Sequence, residues 1–371
     1  MGVFPDFRAD EELNMKIERI DPDAHLDELV NLARVEYGDS EIANLDYLRW
    51  QYLENPAGKA IVVVARSDVG ELAGQYVVIP LQFRIGGERV KGSLSLNTLT
   101  HPAYRGQGLF TKMANETYAI CEQEGLAITL GFPNKNSYPG FVRKLQFRHI
   151  GNASVMFKPL SPMRLLAGLP KTRGASKYGA SAIDDNHLDQ LFPKVGSFEI
   201  SELDFHEHAS DYDTLIDQQT APRFSVGKHA EFCHWRFQAI PTRRYRAFQA
   251  RDGNGIQASC ITRQRKVKGI DCAFVVELHL ADDANGFAAA RQLLKAVLKQ
   301  YRKAGSALAG LMVNPGSNAH RVARSVWFRE MPSRLLPHDA PIIVRRNGQS
   351  ASESIFQVKD WAFFFGDYDV F

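Results

Sequence analysis

Arg105-Gly106-Gln107-Gly108-Leu109-Phe110 is the stretch of this chain best suited to hold an anion. Its two glycines let the backbone turn sharply and leave several amides with no Cβ atoms in front of them. A helix is expected directly afterwards, because Leu109, Phe110, Met113, Ala114, Thr117, Ile120 and Cys121 recur at helical spacing until Glu124-Gly125. Unpaired amides at a helix N-terminus, reinforced by the helix dipole, suit a phosphate. Upstream, Ser93 to Thr100 alternates small or polar residues with leucine, the period of a half-buried strand, and Pro102 stops it. Other phosphate loops fit less well. No Gly-x-x-x-x-Gly-Lys-Ser/Thr occurs, and Gly106-x-Gly108 lacks the third glycine of the dinucleotide fingerprint. The plain alternative is an ordinary strand-to-helix turn.

These residues resemble the GNAT superfamily of N-acyltransferases. Thr100-His-Pro-Ala-Tyr-Arg-Gly-Gln-Gly-Leu-Phe110 is similar to that family's acyl-CoA pyrophosphate loop, Arg/Gln-x-x-Gly-x-Gly/Ala, with Arg105 and Gly108 at the first and fourth positions. Phe110 stands at the sixth, where it could tighten the space beside the pyrophosphate. After a strand at Ala127 to Phe132 come Pro133-Asn-Lys-Asn-Ser-Tyr138 and Phe141-Val-Arg-Lys-Leu-Gln-Phe147, similar to the family's Asn-rich loop and its Phe-Tyr-x-Lys-Leu-Gly-Phe helix. The resemblance implies that Arg105, Gly106, Gln107, Gly108, Leu109 and Phe110 hold the diphosphate of an acyl-CoA, most simply acetyl-CoA. It implies that the main chain of Leu99 and Thr100 pairs with the pantetheine arm and polarises the thioester. Asn134 or Asn136 would reach that arm from across a splayed strand pair, with loop capping as the competing role for each.

Acyl transfer to an amine also needs a proton acceptor and benefits from an acid at the departing thiolate. Where the family carries its acidic tyrosine this chain has Val142, which has no proton to give. Tyr138, about one helical turn upstream, is the candidate substitute, and a packing tyrosine is the alternative. No carboxylate lies on the strand before the loop, Asn97 cannot take up a proton, and His101 beside Pro102 reads as structural. The base is left to a water relay or to a residue from elsewhere in the chain.

The elements that must position these groups occur twice. Met15 to Ile20 reads as a strand, Asp21 to Tyr37 and Asn44 to Leu53 as helices, and Ala60 to Arg66 and Ala73 to Ile85 as antiparallel strands. Six residues separate Trp50 from Pro56 and Trp235 from Pro241, and ten separate Pro56 from Arg66 and Pro241 from Arg251. Val90-Lys91-Gly92 and Val267-Lys268-Gly269 look like matching hairpin positions, and Asn134 with Phe141 to Phe147 corresponds to Asn314 with Val322 to Phe328. An internal duplication follows. In the second copy Ala281-Asp-Asp-Ala-Asn-Gly286 stands at the loop position, where Asp282 and Asp283 would repel a pyrophosphate and cap the helix instead. That copy is expected to complete the acceptor cleft, with Arg243 and Arg244 suited to a carboxylate or phosphate.

The expected fold is α+β, two tandem GNAT-like domains, each a mixed, mostly antiparallel sheet flanked by helices. The boundaries are 1–158 for the N-terminal domain with the acyl-CoA loop, 159–196 for a Gly/Pro/Ser-bearing linker, and 197–371 for the degenerate second domain. A length of 371 residues suits two or three cores. A net charge of +3 implies no nucleic-acid partner, and no apolar run approaches a membrane span. Four cysteines without C-x-x-C spacing suggest free thiols in a reducing compartment, and MGVFPDFRADEEL lacks the apolar run of a signal peptide, so a cytoplasmic location is expected. Asp204 to His208 reads as a solvated loop, so no metal is expected. Arg263 to Lys268 reads as a solvated hairpin tip, and the closing run from Asp360 to Phe371 as a core strand.

The leading expectation is therefore an acyl-CoA-dependent N-acyltransferase in which a small-molecule amine, such as an amino sugar, attacks the thioester directly between the two copies. An acyl-CoA sensor without turnover, and a Fem-like aminoacyl transferase using charged tRNA, are the alternatives. Neither the acceptor, the acyl length nor the oligomeric state is fixed by the sequence.

Overall fold

A computed structural model describes residues 15–168, 197–220, 222–332, 341–348 and 352–368. The first half runs β1 (Lys16–Ile20), α1 (Pro22–Tyr37), α2 (Leu45–Leu53), β2 (Ile61–Arg66), β3 (Leu72–Ile85), β4 (Glu88–Thr100), α3 (Leu109–Gln123), β5 (Ile128–Gly131), α4 (Tyr138–Lys144), β6 (Arg148–Asn152), β7 (Val155–Pro159) and α5 (Pro162–Gly168). The second runs β8 (Glu199–Glu202), α6 (Ala209–Asp217), β9 (Phe224–Val226), α7 (Ala230–Cys233), β10 (Arg246–Asp252), β11 (Gly255–Val267), β12 (Ile270–Leu280), α8 (Ala284–Lys303), β13 (Leu308–Met312), α9 (Asn318–Ser325), β14 (Arg329–Glu330) and β15 (Pro341–Arg346).

Local chemistry sets the first-copy elements where expected. Asp21 caps α1 by accepting from the Asp23 amide, and Asn44 caps α2 by accepting from Tyr47. β2 is β-branched and buried on both faces: Val62 and Val64 join the core under α1 and α2, whereas Ile61, Val63 and Ala65 pack with Met113 and Ala114 of α3.

Two mixed, mostly antiparallel sheets result, so the α+β expectation holds. One has the order β1-β2-β3-β4-β5-β15-β6, with β9 on β3, and the other β14-β7-β13-β12-β11-β10-β8. Each copy hands its last strand to the other. β7 leaves the first copy to lie between β13 and β14, and β15 returns to lie between β5 and β6. A boundary at 158 therefore falls inside β7 (Val155–Pro159), at the strand that enters the second sheet. Of the expected linker, 169–196 lies outside the described residues.

Two sequence expectations need correction. Val90-Lys91-Gly92 lies within β4, whereas Lys268-Gly269 is the turn between β11 and β12; its true counterpart is Gly86-Gly87. Of the aromatic run, 361–367 is largely buried as expected but is not a strand: Trp361 makes one bridge with Phe224, and Phe365–Asp367 is a short 3-10 turn; 369–371 lies outside the described residues. Among the described residues no helix is long and apolar enough to cross a membrane.

Candidate active site

Between β4 and α3 the chain turns through Pro102–Tyr104, a 3-10 turn capped by the His101 ring, whose Nδ1 accepts from the Ala103 amide. His101 is thus structural. Gly106 and Gly108 take φ of 85° and 72°, the left-handed region that glycine enters without strain, and Gly108 is the N-cap of α3. Among the described residues the amides of 106 to 110 donate to no group. A Cβ at either glycine would meet nothing within 4 Å, so no neighbouring side chain fills the outside of the turn. The Arg105 guanidinium pairs with Glu36 of α1. Leu109 is buried, whereas Gln107 is exposed beside the glycines. Phe110 points away from the loop and packs edge-on against Phe141 and close over Gly140, where any Cβ would come within 2.9 Å of its ring. The sixth position therefore takes no space from the loop.

Beside the loop β4 and β5 part, and the gap between them is the candidate groove for an extended ligand. The two strands pair in parallel at Ser93 to Ser95 with Thr129 to Gly131, and no pairing continues beyond. β4 departs from regular geometry at this point: Asn97 has φ of 46° and the register to β3 shifts, a β-bulge that re-aims the following main chain. Leu99 buries its side chain against Leu32, Ala33 and Ala43, and Thr100 is half-buried opposite Gly74.

A polar network fixes the bulge. The Asn97 amide donates to Gln51 Oε1 at 2.6 Å and to the Tyr52 hydroxyl at 3.0 Å, while Gln75 donates to the Asn97 carbonyl at 2.8 Å. Tyr52 is fully buried, and burial pushes its phenol pKa well up, so it stays protonated. Gln51, Tyr52 and Gln75 were not foreseen from sequence. The usable signal was a glutamine in the buried, mostly apolar first part of β3 and an asparagine inside a strand, both poor fits to a buried sheet.

Asn134 holds the turn that leads into α4: its Oδ1 accepts from the amides of Asn136 and Ser137. Asn136 is exposed. Tyr138 opens α4 and sets its ring edge-on to His149 of β6, and Val142 packs against the core below α3.

The second copy walls the groove's far side. Gln51 donates to the Tyr47 hydroxyl, Arg243 lies over the Tyr47 ring, and Arg243 also donates from Nε and Nη2 to both oxygens of Glu41. Thr242 adds a hydrogen bond to Glu41 at 2.7 Å. Arg243 is thus buried in an ion pair that ties the copies together, whereas its neighbour Arg244 is exposed. On the other flank Arg236 donates to the Tyr368 carbonyl, and the Tyr368 ring contacts Phe132 just after β5. A cavity of about 20 Å³ beside Leu96 is lined by Gln51 from one copy and Trp235, Arg236 and Asp367 from the other.

The corresponding gap of the second copy is partly filled, beside a cavity of about 1030 Å³. β12 and β13 pair only at Cys272 to Val275, and beyond them the segment 358–365 enters the gap. Asn314, the counterpart of Asn134, donates to the Val358 carbonyl and accepts from the Phe363 amide. At the degenerate loop Asp283 caps α8 through the Gly286 amide, as expected, but Asp282 instead holds Thr220 and Asn318.

Residues 17–150 match the family described as "Acetyltransferase (GNAT) domain". No curated protein matches the sequence. Among solved structures the fold is similar to a GCN5-related N-acetyltransferase from Kribbella flavida (TM-score 0.59, 13% identity, covering 90% of this chain and 71% of that one). It is also similar to one from Anabaena variabilis (TM-score 0.55, 15% identity, 90% and 73%). A third is the N-myristoyltransferase of Saccharomyces cerevisiae with bound myristoyl-CoA (TM-score 0.56, 12% identity, 92% and 82%). Each likeness spans both sheets, so the fold of the whole chain is shared, while the family match rests on the copy that keeps the open loop. Residues 17–150 therefore carry a GNAT acetyltransferase domain, and the chain as a whole shares the fold of these solved structures.

Proposed function

We propose that the protein transfers an acyl group, most simply acetyl, from acyl-CoA to the amine of a small molecule bound between the first copy's groove and the second copy. The reading is carried by the five unpartnered amides of 106 to 110, which open at the N-terminus of α3 beside the β4/β5 splay. Those amides and the helix dipole suit the diphosphate of CoA. The arm then lies in the groove, where the main chain of Leu99 and Thr100 beyond the bulge pairs with it. Asn134 and Asn136 flank the opposite side. Asn314 supports that placement, because in the second copy the equivalent side chain holds main-chain groups of the irregular segment 358–363, a carbonyl and an amide.

In the reaction the amine nitrogen attacks the thioester carbon, the C–S bond breaks, and the thiolate leaves as CoA. The attacking nitrogen's proton passes to solvent, and the thiolate takes one up from water or from Tyr138. Asn97, Tyr52 and Gln75 act as positioning residues for the main chain that faces the thioester oxygen. Calorimetric titration of acetyl-CoA, followed by thiol release with a panel of amines, tests the proposal. No binding of acetyl-CoA sinks it. Binding without turnover on any amine favours an acyl-CoA sensor, the reading that Val142, in place of a tyrosine, supports.

A further inference from the structure

Away from the β4–α3 loop, two imidazoles meet in the second copy. His206, in the turn after β8, and His234, which opens the helical turn His234–Gln238 after α7, place their Nε2 atoms 3.2 Å apart. His206 is exposed and His234 half-buried, so the pair lies at the surface. His208, two residues from His206, takes no part, because its Nδ1 turns back to the Asp204 main chain. Local spacing could not reveal the pair, since the second ring comes from 28 residues further along.

Main-chain groups hold the second ring in one tautomer. Gln238 donates from Nε2 to the Leu203 carbonyl at 3.5 Å and accepts at Oε1 from the Phe205 amide at 3.2 Å, which fixes which way its amide points. Its Oε1 also lies 3.2 Å from His234 Nδ1, and an amide oxygen only accepts, so the neutral His234 ring carries its proton on Nδ1. A lone pair is therefore left on His234 Nε2, facing His206. An outer hydrogen bond of this kind orients a ligating imidazole and raises its basicity. The Asp204 carboxylate, itself held by the His206 and Glu207 amides, adds negative charge within electrostatic reach of both rings.

We propose that His206 and His234 bind a divalent transition-metal ion of the zinc, copper and nickel class through their two Nε2 atoms. Imidazole nitrogens bound to a tetrahedral ion stand about 3.3 Å apart, close to the 3.2 Å found. The rings are tilted by 52° with centres 3.9 Å apart, so the exposed His206 ring turns about a soft torsion to aim its lone pair at the shared point. In that state His206 carries its proton on Nδ1, and none is lost. Among the described residues no group of three or more His, Cys, Asp or Glu could hold a metal ion, so water completes the coordination. The bound ion ties the turn after β8 to the turn that carries Trp235, and hence to the stacked contact of Trp235 with Trp50.

The test uses the full chain, free of any affinity tag, and needs no acyl transfer. Calorimetric titration with zinc chloride should find one ion per chain, whereas magnesium, which prefers oxygen ligands, should give no binding. His206→Ala and His234→Ala should each abolish zinc binding, and Gln238→Met should weaken it about tenfold or more by releasing the His234 ring. His208→Ala should bind as the wild type does. Zinc should also raise the Tm of the wild type and of His208→Ala, but of neither His206→Ala nor His234→Ala, with circular dichroism showing that both variants fold. No zinc binding at millimolar concentration, or binding that survives either single substitution, overturns the proposal and leaves only a hydrogen bond from His206 to His234. Failure of acetyl-CoA to bind would sink the acyltransferase reading and leave this result untouched.

Discussion

Trp50 and Trp235 stack at 4.8 Å, and each indole nitrogen donates to the other's main-chain carbonyl, at 2.8 and 3.0 Å. The two residues hold the same place in the two copies, so the duplication read from spacing closes on itself as a reciprocal contact. Each Trp→Phe substitution removes one buried donor and should cost about 1 to 2 kcal/mol in denaturant unfolding. The double substitution should fall short of the sum by at least about 0.5 kcal/mol, because the partners share one contact. Strict additivity would show that the two hydrogen bonds are independent.

Gly108 is open to solvent on its Cβ side but holds φ at 72°. Gly108→Ala should therefore cost about 1 kcal/mol of stability through backbone strain and leave acetyl-CoA binding within a few-fold. Gly108→Glu adds the same strain and places a carboxylate where the diphosphate is proposed to sit. Calorimetry should find its acetyl-CoA binding abolished while circular dichroism remains native. Retained affinity would remove the loop from the cofactor site.

The loop and the repeat were legible because both are local: glycine placement and apolar spacing carry them within a few residues. The strand exchange was not. β7 and β15 show the same burial logic whichever sheet receives them, so nothing in VMFKP or PIIVRR states that each crosses to the other copy. Gly86-Gly87 was legible as the turn between β3 and β4, but Val90-Lys91-Gly92 was matched to the second copy's turn by composition alone. The role of Arg243 depended on Glu41, some two hundred residues away, which a local charge pattern does not reveal. Aromatic content announced that 361–365 is buried but not that Asn314 holds it as an irregular segment.

Tyr52 lies fully buried beneath the β4 bulge and accepts from Asn97. Tyr52→Phe keeps the ring and deletes the acceptor, so stability should fall by only about 1 kcal/mol. Loss of the strut lets the main chain at Leu99 and Thr100 drift, and misplacement of that kind should lower kcat by about tenfold or more with little change in acetyl-CoA affinity. Steady-state kinetics beside calorimetry checks it; a pure affinity loss would place Tyr52 in cofactor binding instead.

Strand exchange makes the halves dependent. A chain cut after 158 lacks β15, leaving the edges of β5 and β6 unpaired, and ends with β7 cut short and without its sheet. Exposed edges of this kind template aggregation. Residues 1–158 expressed alone should be insoluble or molten, and co-expression with 159–371 should restore a complex that elutes as one species. A well-folded, monomeric 1–158 would contradict the exchange.

Glu41 and Arg243 offer a pH signature for the contact between copies. Burial would raise the Glu41 carboxyl, but hydrogen bonds and charge from Arg243 hold it below its ordinary range. A depressed folded pKa means that the unfolded chain binds a proton more readily, so the pair's contribution is complete above the ordinary glutamate range and fades as pH falls through the depressed value. Glu41→Gln should therefore cost stability at neutral pH, and because the Glu41 side chain is 37% exposed, screening holds the loss to about 1 to 2 kcal/mol. Denaturation of wild type and variant across the acid range should show the two curves converging as pH drops. A gap that stays constant would mean that Glu41 acts through packing and not through its charge, and the tie between α1–α2 and the second copy would then lie with Tyr47 under Arg243.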